Sequence, residues 1–338
     1  MKKTFNIEYK DIISIENLLE VWKEFLNGKK NRKDVQEFQK NLMSNIISLH
    51  NNLTNKSYVH GGYKAFNISD PKPRNIHKAS IRDRLLHHAI YRKLYPFFDR
   101  TFISDSFSCR LGRGTHKAIN RFKSFAKKVS KNNTKTCWVL KCDIRKFFAS
   151  IDHKILVGIL KEHIKDESIM WLLEKIISSF NTKEKIDIGL PLGNLTSQLL
   201  VNIYMNKFDQ FIKHRLKTKY YIRYADDFVI LSQDKDWLLE LLPKIADFLE
   251  ENLKLTMHPN KIFIKTIASG IDFLGWVHFP THRVLRTATK RKIFRNIKSK
   301  TEEKRENTVA SYLGMLKWGN GYKLSEKIKI IRLDLLMI

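Results

Sequence analysis

Two apolar, aromatic-rich runs flank a short acidic turn: Tyr221-Ile222-Arg223-Tyr224, then Ala225-Asp226-Asp227, then Phe228-Val229-Ile230-Leu231. Aromatic and β-branched residues suit a pleated surface, so the stretch predicts a tight β-hairpin carrying two adjacent carboxylates. Trp138 to Ile144 predicts a second short strand, with Asp143 near its end. Asp272 to Phe279 predicts another hairpin, bent at Gly275, and Ile262-Phe263-Ile264 a further strand.

Elsewhere the apolar spacing changes to the helical period. It predicts helices over Ile15–Leu26, over Val35–Leu49 and from Ile81 through Leu94. Ala118, Phe122, Ala126 and Val129 mark the inner face of another, and further helices are expected from Lys154 to His163 and Ser168 to Phe180. The loop Gly189 to Gln198 feeds a long helix, and Trp237 to Leu253 forms one more. Between the second and third helices a turn-rich stretch suits a hairpin, with Lys72 and Arg74 on or near its tip. The stretch Arg283 to Arg305 holds ten basic residues and two acids, with Leu285, Ile293, Phe294 and Ile297 interspersed, and predicts a basic helix. Ser311 to Trp318 and Leu333 to Ile338 read as helical, and the composition shift near Pro280 suggests a domain boundary.

Composition adds a partner. The 338 residues carry 63 Lys and Arg against 34 Asp and Glu, a formal net charge of +29. Such an excess points to a polyanion, most simply nucleic acid. An anionic membrane is the rival, but no lipidation motif or long apolar run supports it. Cys109, Cys137 and Cys142 are too few for a disulfide framework, and the first residues lack a signal-peptide core, so an intracellular, cytoplasmic setting is expected. His278 and His282 are separated by Pro280, cannot share a helix face, and predict no zinc site.

The candidate chemistry follows from charge placement. An Asp at a strand end is often only a helix cap, and Asp in a turn is common. Asp143, Asp226 and Asp227 on neighbouring strands of one sheet would nevertheless bring three carboxylates together. Hard oxygen donors in that number suit a pair of Mg²⁺ ions and phosphoryl or nucleotidyl transfer. Arg110 and Arg113, set between glycines, can approach phosphate closely. The following helix shows Lys117 and Arg121 on a face without acids.

In this order the motifs closely resemble those of reverse transcriptases. Tyr224-Ala225-Asp226-Asp227 is similar to the family's YxDD box, Asp143-Ile144-Arg145-Lys146-Phe147-Phe148 to its first palm motif, and Pro191-Leu192-Gly193 through Ser197-Gln198 to its second. The resemblance runs from about Tyr58 to Trp318 and implies an α+β right-hand polymerase. N-terminal helices and fingers would occupy 1–136, a palm with an antiparallel sheet and the YADD hairpin 137–279, with room for fingers insertions around 150–190, and a basic helical thumb 280–338. It implies metal binding by Asp143, Ile144, Asp226 and Asp227, with two Mg²⁺ ions for which Mn²⁺ can substitute. Lys261 would assist as an acid, and Lys72 and Arg74 would hold the triphosphate. Phe148 would select deoxynucleotides by colliding with a 2′-hydroxyl, and Leu192 and Gln198 would line the nucleotide pocket. Phe273-Leu274-Gly275-Trp276 fall where the family has its primer grip, and Arg110, Arg113, Lys117, Arg121, Arg291 and Lys292 would contact nucleic acid.

Most relatives carry Gln at the place of Leu192 and Ser-Pro at the end of that motif, where this chain has Ser197-Gln198. The variant resembles the enzymes of diversity-generating retroelements, prokaryotic or phage-encoded. These copy a template RNA into cDNA with errors at adenines and work with a small basic accessory protein that forms an oligomeric barrel. An antiphage-defence, retron or group II intron enzyme is an alternative, as is a non-catalytic RNA-binding protein that retains the polymerase fold. Template RNA, primer or cDNA, and dNTPs are the expected partners, with no membrane.

Overall fold

A computed structural model describes residues 4–69, 73–182 and 186–334. In chain order these form α1 (Tyr9–Ile13), α2 (Ile15–Phe25), α3 (Lys33–Lys40), α4 (Leu42–Thr54), β1 (Tyr63–Ile68), β2 (Arg74–Ala79), α5 (Ile81–Asp99), α6 (Thr115–Val129) and β3 (Trp138–Asp143). A 3₁₀ turn at Phe147–Ser150 precedes α7 (His153–Lys161), α8 (Glu167–Ser178) and α9 (Leu195–Gln210). Then come β4 (Tyr221–Tyr224), β5 (Asp227–Ser232), α10 (Lys235–Leu253), β6 (Phe263–Thr266), β7 (Ile271–Phe273), β8 (Trp276–His278) and β9 (Arg283–Leu285). The helices α11 (Thr287–Lys298), α12 (Glu302–Leu316) and α13 (Tyr322–Asp334) follow. Antiparallel sheets with segregated helices make the class α+β, as expected. No helix among the described residues is long and apolar enough to cross a membrane.

The chain forms two compact units, each assembled from separate segments. One gathers Met1–Cys109, Ile144–Lys217 and Lys244–His258; the other gathers Arg110–Asp143, Thr218–Pro243 and Pro259–Ile338. The units alternate along the chain, so neither coincides with the linear segments 1–136, 137–279 and 280–338. Pro280 lies in the loop between the paired strands β8 and β9, inside one unit.

The first unit is mostly helical. The apolar stripe of α5 (Leu85, Leu86, Ala89, Ile90, Leu94) is buried, and α5 packs against α2 and α9. Ser80 caps α5 by accepting from the Asp83 amide at 3.1 Å. The buried Asp83 carboxylate accepts from Tyr58 Oη (2.8 Å), Gly61 N (3.0 Å) and Ser80 Oγ (2.6 Å), which ties the base of the β1–β2 hairpin to the helix. The expected single helix over Val35–Leu49 is two, because Asn41 (φ −118°, ψ 39°) leaves helical geometry between α3 and α4. Asn competes for backbone hydrogen bonds and is a weak helix former, so the break falls there.

The second unit holds a four-stranded antiparallel sheet in the order β4-β5-β3-β6 and a three-stranded meander β7-β8-β9. The basic stretch begins not as a helix but as β9, because Arg283-Val284-Leu285 pairs with β8; the helix starts only at Thr287. The closing helix expected at Leu333–Ile338 lies mostly beyond the last described residue. Trp276, Leu285, Ile293, Ile297, Val309 and Leu316 share one buried cluster that fastens α11 and α12 to the meander.

Gly319 sits where a Cβ would overlap the Trp276 ring and lie 2.9 Å from Arg283 O. Gly319→Ala is therefore expected to cost on the order of 1–3 kcal/mol. Urea denaturation of the full chain measures it, and a wild-type midpoint would refute the packing described.

Candidate active site

The register of the sheet places the acids. Asp143, last residue of β3, is the direct antiparallel partner of Asp227, first residue of β5. Tyr224 pairs with Asp227 across β4–β5 and leaves Ala225-Asp226 as a two-residue turn. Asp226 alone therefore belongs to the turn, while Asp227 is a strand residue with its side chain only 19% exposed. Ala225 adopts φ 56°, a left-handed conformation that costs energy in a residue with a Cβ. The fully buried Arg223 donates through Nη1 to Ala225 O at 3.1 Å and holds that turn. Thr115 Oγ1, at the start of α6, donates to Tyr224 Oη at 3.1 Å.

Two lysines face these carboxylates. Lys261 Nζ donates to Asp143 Oδ1 at 2.8 Å. Lys141 Nζ lies 3.3 Å from Asp227 Oδ1 and donates to Asp272 O at 2.9 Å. The 3.3 Å contact is an ion pair without hydrogen-bond alignment, so the buried Oδ1 keeps unused acceptor capacity. Burial raises the Asp227 pKa to about 6; Lys141 opposes the rise, and Asp226 and Asp143 add to it. The three acids thus sense one another electrostatically.

Among the described residues no three His, Cys, Asp or Glu side chains already enclose a cation. The donor chemistry nonetheless fits a hard dication: the side-chain donors are carboxylate oxygens, one oxygen is unsatisfied, and their mutual repulsion would be relieved by positive charge.

The remaining expected residues fall in two groups. In the first unit Lys146 (φ 46°) turns the chain into the 3₁₀ segment bearing Phe148, whose carbonyl accepts from Leu190 N at 2.8 Å. Leu192 O accepts from His77 N at 3.0 Å, and Asn194 Nδ2 donates to His77 O at 2.8 Å. Strand β2, which opens with the exposed Arg74, is thereby clipped to the loop carrying Leu192. Gln198 is half-buried in the first turn of α9, and Ile144 is buried, bridging to Met257. Lys72 lies outside the described residues.

In the second unit Arg113 and Lys117 are exposed, Arg110 is buried, and the Arg121 guanidinium covers the Phe125 ring at 4.4 Å. Arg291 is exposed on α11 and Lys292 half-buried. The stretch expected to grip a primer is a hairpin whose two-residue loop, Leu274 (φ 51°) and Gly275 (φ 88°), is left-handed at both positions. Phe273 and Trp276 point into the core, so of these four only Leu274 and Gly275 are open to a ligand.

Sequence reasoning missed Lys141, although strand alternation puts it on the face of Asp143. It also missed His77 and Asn194, for which the sequence holds no signal.

Residues 68–278 match the family described as reverse transcriptase (RNA-dependent DNA polymerase). The chain belongs to the reverse transcriptase family.

This reverse transcriptase is 27% identical over 288 residues to protein YkfC of Escherichia coli K12, covering 73% of its own length and 72% of that protein. It is 24% identical over 274 residues to the group II intron-encoded protein LtrA of Lactococcus lactis, covering 61% of itself and 44% of LtrA. It thus spans less than half of that intron-encoded relative. A solved structure of apo telomerase from Candida tropicalis aligns with TM-score 0.49 at 13% identity, covering 70% of this chain and 59% of that one.

Asp227 keeps its proton to about pH 6 in the fold, against an ordinary value of 3.8. The folded protein then binds more protons than the unfolded chain between those values, so this group's contribution to stability falls as pH rises through that window. Urea denaturation in EDTA between about pH 4 and about pH 7 is expected to show the loss, and Asp227→Asn to remove it. An unchanged pH dependence in the variant would assign the effect to other groups.

Proposed function

We propose that this reverse transcriptase copies an RNA template into DNA, with Asp143 and Asp226 as shared cation ligands and Asp227 and the Ile144 carbonyl in support. The observation that carries this reading is the pairing of Asp143 opposite Asp227, with Asp226 in the adjoining turn. Two bound Mg²⁺ ions, or Mn²⁺ in their place, would lower the pKa of the primer 3′-hydroxyl and neutralise the pyrophosphate that leaves as the new 3′-O–P bond forms. Arg74, exposed at the start of β2, binds the triphosphate together with Lys72. The Phe148 ring excludes a ribose 2′-hydroxyl and so selects dNTPs. Lys261, held beside Asp143, delivers a proton to the departing pyrophosphate. In the terms of a right-hand polymerase, β1–β2 belongs to the fingers, the four-stranded sheet to the palm and α11–α13 to the thumb, where Arg291 and Lys292 meet nucleic-acid phosphates along with Arg113 and Lys117. The Leu274-Gly275 loop supports the primer end.

The finer assignment is a diversity-generating retroelement, which is cytoplasmic and works with a small basic barrel-forming partner. Leu192 and Gln198 support it: an apolar Leu192 offers the nucleotide no amide to fix its position, so the pocket discriminates less. Similarity to LtrA favours a second reading, an intron-encoded enzyme. A nearby imperfect repeat pair differing at adenines separates the two.

Asp226→Asn is expected to lower primer extension by about a thousandfold or more, with RNA affinity retained, since cation ligation is worth several kcal/mol. Retained extension would remove Asp226 from the ligand set. Leu192→Gln is expected to cut misincorporation opposite template adenine by about tenfold, read by sequencing the cDNA. An unaltered error spectrum would defeat the pocket argument.

A further inference from the structure

A half-enclosed cavity of about 170 Å³ lies within the second unit, between α6, the β8–β9 loop and the turn after α12. None of the carboxylate set lines it, and none of its lining residues is acidic. Its polar side chains include Lys123, His282, Arg283 and Lys317, and Phe122, Phe279 and Trp318 are aromatic residues of its lining.

Two stacked ring pairs border it, and Phe279, His282 and Trp318 of these line the cavity. The Phe279 and His282 rings stack with centroids 4.9 Å apart and planes at 16°. Trp318 stacks on His116 at 3.9 Å and 17°, yet stays 36% exposed. The frame that carries them is fastened by backbone bonds: Phe279 N donates to His282 O at 2.8 Å, and Asn320 N to Arg283 O at 2.9 Å. Gly319 packs against Trp276 behind this turn. The turns that carry Phe279, His282 and Trp318 are thus fixed by the fold itself.

Charge selects the occupant. Arg283 donates to Trp318 O and to Asn120 Oδ1, but its Nη1 has no partner and no described carboxylate pairs with it. A half-buried cation without a counter-ion favours an anion nearby. Lys123 and Lys317 are exposed at the same cavity. Size narrows the choice further. A cavity of roughly 150 Å³ takes one benzene ring, and drug-sized ligands need about 300 Å³ or more. The enclosed volume matches about one ring, so a base is held in part, with its remainder and any phosphate at the open side.

We propose that this cavity seats one unpaired base of a single-stranded polynucleotide, against Trp318 and the Phe279–His282 pair, with its backbone phosphates on Lys123 and Lys317. Aromatic plates with a basic surround are the usual physical means of holding single strands without sequence preference. The seat goes beyond the polymerase reading and does not depend on its chemical step.

The test uses the full chain in EDTA without dNTPs and short single-stranded oligomers, RNA and DNA, carrying one 2-aminopurine. Fluorescence quenching reports stacking and anisotropy reports affinity. Wild type is expected to quench the base in both sugars, because the contacts are to base and phosphate. Trp318→Leu and His282→Ala should each lose quenching and bind about tenfold more weakly, while an abasic nucleotide at that position weakens wild type by a similar factor. Lys123→Gln with Lys317→Gln should weaken intact and abasic oligomers alike and flatten the salt dependence. His282 is exposed, so its variant tests the seat even if Trp318→Leu unfolds. Wild type binding abasic and intact oligomers equally, or His282→Ala quenching as wild type does, would overturn the proposal. Primer extension by the wild type, run in parallel with Mg²⁺ and dNTPs, reports on the polymerase reading alone.

Discussion

The second unit is arranged around an electrostatic conflict. Antiparallel register puts Asp143 directly opposite Asp227, and the tight turn adds Asp226 next to them. Like charges facing each other across strands destabilise a sheet. Lys261 and Lys141 each hold one acid and so offset the conflict, while burial and the neighbouring acids push the Asp227 pKa up to about 6. A fold that maintains such a cluster has a use for cations, and the family of the chain supplies one.

The turn shows how firmly the arrangement is held. Ala225 sits in a left-handed conformation, and a buried arginine, an expensive group to desolvate, is spent on its carbonyl. Thr115 holds the hydroxyl of Tyr224 from α6. The loop that carries Leu192 is set by different means, two hydrogen bonds to His77 on β2. Strand β2, which opens with Arg74, is thereby joined to the loop bearing Leu192. The Leu192 loop is thus fixed through backbone groups of His77, and the acids through register and two lysine side chains.

Hydrophobic periodicity and motif order disclosed a good deal. The YADD hairpin, the strand ending in Asp143, the Leu274-Gly275 hairpin and most helices could be read in advance, because each depends on local pattern and on turn chemistry. The break at Asn41 and the strand at Arg283–Leu285 could not. A helix pattern continues through Asn41 in sequence, and Arg283-Val284-Leu285, inside a basic stretch, become a strand only because β8 offers an edge.

The sequence by itself determined the chemistry available: three carboxylates, their order along the chain and a large cationic excess. Tertiary structure decided which atoms meet. Pairing register, a property of two strands over eighty residues apart, made Asp143 and Asp227 neighbours and brought Lys141 to Asp227, while the turn before β6 brought Lys261 to Asp143. The interleaving of the two units, the withdrawal of Phe273 and Trp276 into the core, and the clip between His77 and Asn194 all arise from contacts between distant segments. Local sequence carries no energy term for such contacts, so they became visible only once the chain was folded.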